Sequence, residues 1–237
     1  MGRKQKKRAL KSITSKPQLI TETDPRSPIA EQFKTLRTNI QFSSYDHALQ
    51  TMVITSSSPG EGKSTVAANL AVVLAQQDKK VLIIDGDLRK PTVHYTFRIP
   101  NKTGLSSVIT GQALLDDVII ASQTERVHVL PSGPVPPNPS EMLSSNRMAM
   151  LLDEVKVNYD YIVLDTPPVN AVTDAQILGK MCDGVILTLR SGVTETEEAL
   201  DAKRALEATG AKILGAVLND LAVEQSKYHY YYGAESS

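Results

Sequence analysis

The run Ser57-Ser58-Pro59-Gly60-Glu61-Gly62-Lys63-Ser64-Thr65 has the residue types and spacing to hold a nucleoside triphosphate. It lies between a short apolar run, Met52-Val53-Ile54, and an alanine-rich helical pattern from Thr65 to Gln76. Small residues let successive backbone N–H groups turn inward as an anion nest, and the helix that follows points its positive end at the phosphates. Lys63 then reaches the β- and γ-phosphates, and the Ser64 hydroxyl meets Mg²⁺. An ordinary glycine turn ahead of a helix is the plainer alternative; a strand before the loop and a helix after it favour phosphate binding. The common pattern opens with glycine, and this chain departs from it with Ser57.

Two further runs end in acid. Val81-Leu82-Ile83-Ile84-Asp85-Gly86-Asp87 reads as a buried strand closing on two carboxylates, and Tyr161-Ile162-Val163-Leu164-Asp165 as another closing on one. A triphosphate with Mg²⁺ needs a hard oxygen ligand, or a holder of water, beyond the loop serine. A lone aspartate at a strand end is more often a turn or helix cap. Three of them beside a phosphate loop point instead to metal binding and catalysis.

The elements that must place these residues are legible as well. Apolar, β-branched runs recur between helical stretches at 52–55, 81–84, 127–130, 161–164, 185–189 and 213–218. Near-continuous apolar strands alternating with helices predict an α/β fold with a doubly wound, mostly parallel sheet and helices on both faces. Right-handed crossovers then gather Ser57–Ser64, Asp85 and Asp165 at the strands' C-terminal edge. Ahead of the first strand, Pro28 to Phe42 predicts a helix with Ile29, Phe33, Leu36 and Ile40 on one face. Residues 132–139 read as a rigid loop, with Ser140 as a cap for the next helix. The expected organisation is a basic arm and linker at 1–26, a nucleotide-binding domain at 27–222, and a flexible tyrosine-rich tail at 223–237.

Composition removes several classes. In 237 residues, 41% are hydrophobic and 22% charged, as in soluble proteins, and no apolar run reaches the length of a membrane span. The single cysteine, Cys182, excludes a disulfide framework and a cysteine metal cluster. Net charge is zero, yet seven bases and no acid fall within the first sixteen residues. Such an arm is usually solvated; its sharper use is contact with anionic lipid or an acidic partner. No base-reading motif accompanies it, so nucleic acid is not expected.

The loop, the run Ile-Asp-Gly-Asp-Leu-Arg-Lys-Pro (84–91) and the run Leu-Asp-Thr-Pro-Pro (164–168) resemble the modified Walker A, A′ and B motifs of the bacterial tyrosine kinases, relatives of the MinD/ParA ATPases. The resemblance runs from about Glu31 to Tyr232, through Arg37-Thr38-Asn39-Ile40 and Ser132–Leu143. It implies a P-loop fold and an ATP- and Mg²⁺-dependent, non-specific protein-tyrosine kinase serving capsule or exopolysaccharide export. It also implies roles. Ser58, Gly60, Glu61, Gly62, Lys63, Ser64 and Thr65 would wrap the nucleotide, and Asn219 would meet its base. Ser64, Asp85, Asp87 and Asp165 would hold Mg²⁺, with Asp85 or Asp87 taking the tyrosine proton beside Lys63. Arg89 and Lys90 would either balance phosphate charge or form a solvated turn.

Tyr228, Tyr230, Tyr231 and Tyr232 place four of the chain's eight tyrosines within five positions. On composition alone they are a sticky aromatic tail; the resemblance makes them autophosphorylation sites offered to a neighbouring subunit. Glu31, Lys34 and Arg37 fall on one helix face, where the family knits subunits into a homo-oligomeric ring. Lys34 replaces the usual arginine and lacks its bidentate fork, and pairing within the helix is the alternative. The resemblance further implies a membrane-anchored activator protein acting through its cytoplasmic tail, a protein-tyrosine phosphatase, and recruitment from the cytoplasm to the inner face of the plasma membrane. A MinD/ParA-type ATPase switch is the main competitor, but Ser58 stands where those proteins place a second lysine. A nucleotide-dependent scaffold is the non-catalytic alternative.

Overall fold

The computed structural model describes residues 19–43 and 49–221. The basic arm up to residue 18 and the tyrosines at 228–232 lie outside these described residues. In chain order the elements are α1 (Ile20–Thr23), α2 (Pro28–Phe42), β1 (Thr51–Ser56), α3 (Lys63–Ala75), β2 (Val81–Asp85), α4 (Val93–Phe97), α5 (Leu105–Ile109) and α6 (Leu115–Val118). They continue with β3 (Ile120–Ala121), β4 (Val127–Leu130), α7 (Pro139–Leu143), α8 (Asn146–Asn158), β5 (Tyr161–Asp165), α9 (Asp174–Met181), β6 (Gly184–Arg190), α10 (Thr196–Ala208) and β7 (Ile213–Asn219).

The strands form one sheet in the order β3-β4-β2-β5-β1-β6-β7, parallel except for the short β3, which runs against β4. This is the expected doubly wound α/β sheet. Every residue of β1 and β2 is buried, and successive residues serve opposite faces. Met52, Ile54, Val81, Ile83 and Val163 pack under α2 and α3, while Val53, Leu82, Ile84, Ile162 and Leu164 pack against the layer that includes α8, α9 and α10. Truncating one of these side chains to alanine costs ~2–5 kcal/mol. Helix α3 is buried from Val66 to Ala75, and its small residues let it lie close on the sheet.

Register places the acids. Asp85 and Asp165 are direct partners at the ends of β2 and β5, and Asp165 also pairs in register with Ile54 of β1, two residues before that strand ends and the glycine loop begins. The order β2-β5-β1 thus sets Asp85, Asp165 and the loop side by side at the carboxyl edge, where ligands bind in open α/β sheets.

Three local expectations are corrected, and one strand is added. The linker was expected to reach residue 26, whereas Thr21 of α1 is buried and gives both its N–H and its hydroxyl to Asn69 Oδ1 of α3. Helix α2 spans the expected residues, but Ile29 is half exposed and Ala30 is buried in its place. Ser27 caps that helix by accepting from the Ala30 N–H, with Pro28 at its first position. Ser140 is no cap: Pro139 starts α7 after Asn138, leaving Ser140 inside the helix. Lastly, the two-residue β3 is too short for any alternation to announce it.

Candidate active site

The loop between β1 and α3 has its backbone turned by design of its neighbours. Gly60 and Gly62 adopt φ of +85° and +93°, and Gly62 immediately precedes α3. A Cβ on Gly62 would stand 2.1 Å from Asn219 Nδ2, so glycine is required there twice over. Outward-facing carbonyls are capped: Asn219 Nδ2 donates to Glu61 O at 2.9 Å and Arg190 Nη1 to Gly60 O at 3.5 Å. Caps of this kind leave the loop's N–H groups free to face an anion.

Glu61 lies within this phosphate-type loop, yet its carboxylate is buried and directed into the loop's base. It accepts from the Ser57 hydroxyl at 2.8 Å, from the Ser58 N–H at 3.0 Å, and from the Thr194 hydroxyl. Only the backbone of Glu61 is therefore left to contact phosphate. Ser58 turns its own hydroxyl to Glu198 at 3.3 Å.

Lys63 converges with the acids. Its Nζ lies 3.2 Å from Ser64 Oγ, 3.4 Å from Asp87 Oδ2 and 3.6 Å from Asp165 Oδ1. Asp85 is wholly buried; its Oδ2 accepts from the Thr92 and Val93 N–H groups, each at 3.1 Å, and its Oδ1 from the Asp87 N–H. Asp87 Oδ1 accepts from the Arg89 and Lys90 N–H groups at 3.2 and 2.9 Å, which aims Oδ2 at Lys63. Thr92 closes the ring by donating its hydroxyl to Ser64 Oγ at 3.0 Å. Asp165 differs from both: neither of its buried carboxylate oxygens has a hydrogen-bond partner.

The electrostatics follow from crowding three acids and one base away from water. Burial pushes the Asp85 carboxyl well above the ordinary range, the neighbouring Asp165 charge adds to this, and the Val93 N–H opposes it. Asp165 is also raised by burial, with the Lys63 charge resisting. Burial lowers Lys63, but Asp165, Asp87 and Asp85 outweigh it and leave the ammonium above its usual value. A fixed cation beside a strained acidic set is poised to receive a polyanion and its counter-ion.

The donor chemistry suits Mg²⁺, a hard ion that favours oxygen and retains water. Two unpartnered, buried carboxylate oxygens on Asp165 beside the Ser64 hydroxyl are the kind of ligands it takes. Among the described residues no cluster of three or more His, Cys, Asp or Glu forms a metal cage by itself.

The remaining expected residues sit elsewhere. Glu31 and Lys34 pair with each other at 2.6 Å, and Arg37 turns inward to the Val73 carbonyl at 2.6 Å, so all three make contacts within this chain. Arg89 faces away from the loop, forking onto Asp174 at the start of α9. Asp174, Thr194 and Arg190 escaped sequence reasoning because no local pattern marks a side chain whose partner is 85, 133 or 130 positions away. Among the described residues no helix is long and apolar enough to cross a membrane.

Comparison with known proteins shows what the chain as a whole is similar to. The AAA domain family matches residues 49–199. The tyrosine-protein kinase YwqD of Bacillus subtilis (strain 168) is 49% identical over 219 residues, covering 92% of each chain. Among solved structures, the chimerical protein CapA2B2 superposes with a TM-score of 0.84 at 49% identity, over 86% of this chain and 90% of that one. The kinase domain of the Escherichia coli tyrosine kinase ETK gives 0.81 at 34% identity, over 86% and 82%.

Proposed function

The chain belongs to the bacterial tyrosine-protein kinases, and from that membership we propose that it moves the γ-phosphoryl group of ATP to tyrosines of its own C-terminal cluster and of other proteins. The observation that carries this reading is the meeting of Lys63, Ser64, Asp87 and Asp165 within 3.6 Å at the mouth of the glycine loop. Backbone N–H groups from Gly60 to Thr65 cradle the phosphates, and Lys63 neutralises the β- and γ-oxygens. Mg²⁺, when bound, supplies charge neutralisation across the phosphates; Ser64, Asp85, Asp87 and Asp165 are the residues that would hold it, directly or through water.

Of the two candidate bases, Asp87 is the better placed. Asp85 has both oxygens engaged by backbone N–H groups, whereas Asp87 Oδ2 is free of backbone and faces Lys63. A tyrosine hydroxyl titrates near pKa ~10, so a positioned carboxylate assists even a late proton transfer.

The acceptors we assign are Tyr228, Tyr230, Tyr231 and Tyr232. Support comes from the end of β7, where Asn219 touches the glycine loop nine positions before the first of the cluster. The last strand therefore ends beside an active site, a short stretch of chain before the cluster. Presentation to a neighbouring subunit, in a ring built on the half-buried Glu31 and Lys34 with Arg37 bracing the helix, completes the reading. A membrane-anchored activator would recruit the kinase to the inner face of the plasma membrane and regulate capsule or exopolysaccharide export, and a phosphatase would reset it. Similarity to a chimerical CapA2B2 protein is in keeping with a two-part kinase.

Radiolabelled ATP with phosphoamino-acid analysis tests this. Tyrosine label that disappears in Lys63→Met and in a chain ending at Ser226 supports it. Label on serine alone, or tyrosine label unchanged by truncation, overturns the acceptor assignment.

A further inference from the structure

Arg89 follows Asp87 by two residues and was expected to face phosphate or solvent. Instead its guanidinium forks onto Asp174, with Nε 2.9 Å from Oδ2 and Nη2 3.1 Å from Oδ1. Asp174 is completely buried in the first turn of α9, where the positive helix end favours an acid. Ser140 of α7 joins the pair: it donates to Asp174 Oδ1 at 2.7 Å and accepts from Arg89 Nη2 at 2.8 Å. Burial of Asp174 and hydrogen bonding on both faces of the fork make this a built contact between elements far apart in sequence.

Its consequence lies at the catalytic acids. The Arg89 N–H donates to Asp87 Oδ1, so Arg89 is tied to Asp87 through its backbone and to α9 through its side chain. Helix α9 follows β5, whose last residue is Asp165. Asp85 and Asp165 are aligned by sheet register; Asp87, beyond the strand end, has no such alignment. The Arg89–Asp174 fork supplies it, fastening the loop that bears Asp87 to the segment that bears Asp165. We propose that Arg89 and Asp174 are positioning residues for phosphoryl transfer, setting Asp87 against Lys63, and that Arg89 does not ligate phosphate. This rests on the reading of Asp85, Asp87 and Asp165 as the acidic set.

Initial rates of tyrosine phosphorylation by the full chain, titrated with ATP and Mg²⁺, separate kcat from KM, and equilibrium ATP binding gives the affinity. Arg89→Gln and Asp174→Asn are each expected to lower kcat by about tenfold or more, since small misplacement of a reacting group is costly. ATP affinity should stay within about twofold, and the double variant should be no slower than the worse single one. Weakened ATP binding in Arg89→Gln alone would make Arg89 a phosphate ligand and overturn the proposal. So would multiplying effects in the double variant, or an unfolding midpoint that falls with kcat per folded molecule unchanged. Where Arg89→Gln fails to fold, Arg89→Lys keeps the charge without the fork: reduced kcat at unchanged affinity supports the pair, and full kcat overturns it. Asp87→Asn separates the two levels. Activity at the unaltered rate sinks the acidic set and this proposal together; an inactive Asp87→Asn with multiplying Arg89 and Asp174 effects sinks the pair alone.

Discussion

Asn219, the last residue of β7, donates its side-chain amide to the Glu61 carbonyl at 2.9 Å and so shapes the glycine loop 158 positions upstream. The resemblance assigned this asparagine to the nucleotide base. Its Nδ2 is engaged with the loop, which makes it a support of the phosphate end as well. Asn219→Ala is expected to weaken ATP and ADP alike, by about three- to tenfold, because a lost hydrogen bond and a loosened loop are worth ~1 kcal/mol or a little more. Titration with ATP, ADP and GDP checks this. A residue acting on the base alone would change the preference for adenine over guanine and leave the loop intact.

The unpartnered carboxylate of Asp165 gives a prediction of opposite sign for stability and activity. Burial disfavours its charge, and Lys63, at 3.6 Å, with the nearby Ser64 hydroxyl compensates only in part. Asp165→Asn removes that charge at nearly constant shape. The thermal midpoint is expected to rise by about 2–4 °C, while tyrosine phosphorylation falls by about a hundredfold. Calorimetry and labelling on the same preparation decide it; a lowered midpoint would mean that the Lys63 pairing outweighs the burial cost.

These two cases show what one-dimensional reading reaches. Runs such as Val81–Asp85 and Tyr161–Asp165 announce buried parallel strands through continuous β-branched residues, and their terminal acids announce the edge of the sheet. The loop is legible because glycine, lysine and serine spacing is itself the mechanism. Asp174 was not legible: an aspartate in the first turn of an amphipathic helix looks the same whether it meets water or Arg89. Ile29 misled for a related reason, since it is left half exposed at the first turn of α2 and the smaller Ala30 is the residue that docks. Periodicity gives a face, and tertiary packing chooses where along it contact begins.

At the opposite edge of the sheet, His128 Nδ1 lies 2.7 Å from the Tyr159 hydroxyl, and Lys80 stands 4.7 Å over the Tyr159 ring. Burial lowers His128 below its ordinary 6.5 and the Lys80 charge adds to this. A base depressed in the folded state contributes stability above its unfolded value and loses it as pH falls through that value. His128 should therefore pull the urea midpoint down between about pH 7.5 and 5.5, against the raised Asp85 and Asp165 carboxyls, which favour the folded state as pH falls, and His128→Asn should remove that pull. Some slope will persist, because His94 is lowered by burial in the same direction. An unchanged slope in the variant would exclude His128 as its source.

Glu61 and Thr194 offer the strictest test of how the loop is held. The Glu61 carboxylate anchors Ser57, Ser58 and Thr194, and so connects the glycine loop to the turn after β6. Thr194→Val removes one donor of near-equal volume from a buried acid, a loss of ~1.5–3 kcal/mol for a hydrogen bond to a charged group. Glu61→Ala removes every anchor at once. If the carboxylate acts by shaping the loop, both variants lose ATP affinity, with Glu61→Ala the worse by about tenfold. Were its negative charge the dominant influence on the phosphates, Glu61→Ala would bind ATP more tightly while Thr194→Val bound it less. Three donors within the protein, Ser57, Ser58 and Thr194, and none on the phosphate side favour the first outcome. Measuring both affinities at low and high salt completes the separation, because loop shape is indifferent to screening and charge repulsion is not.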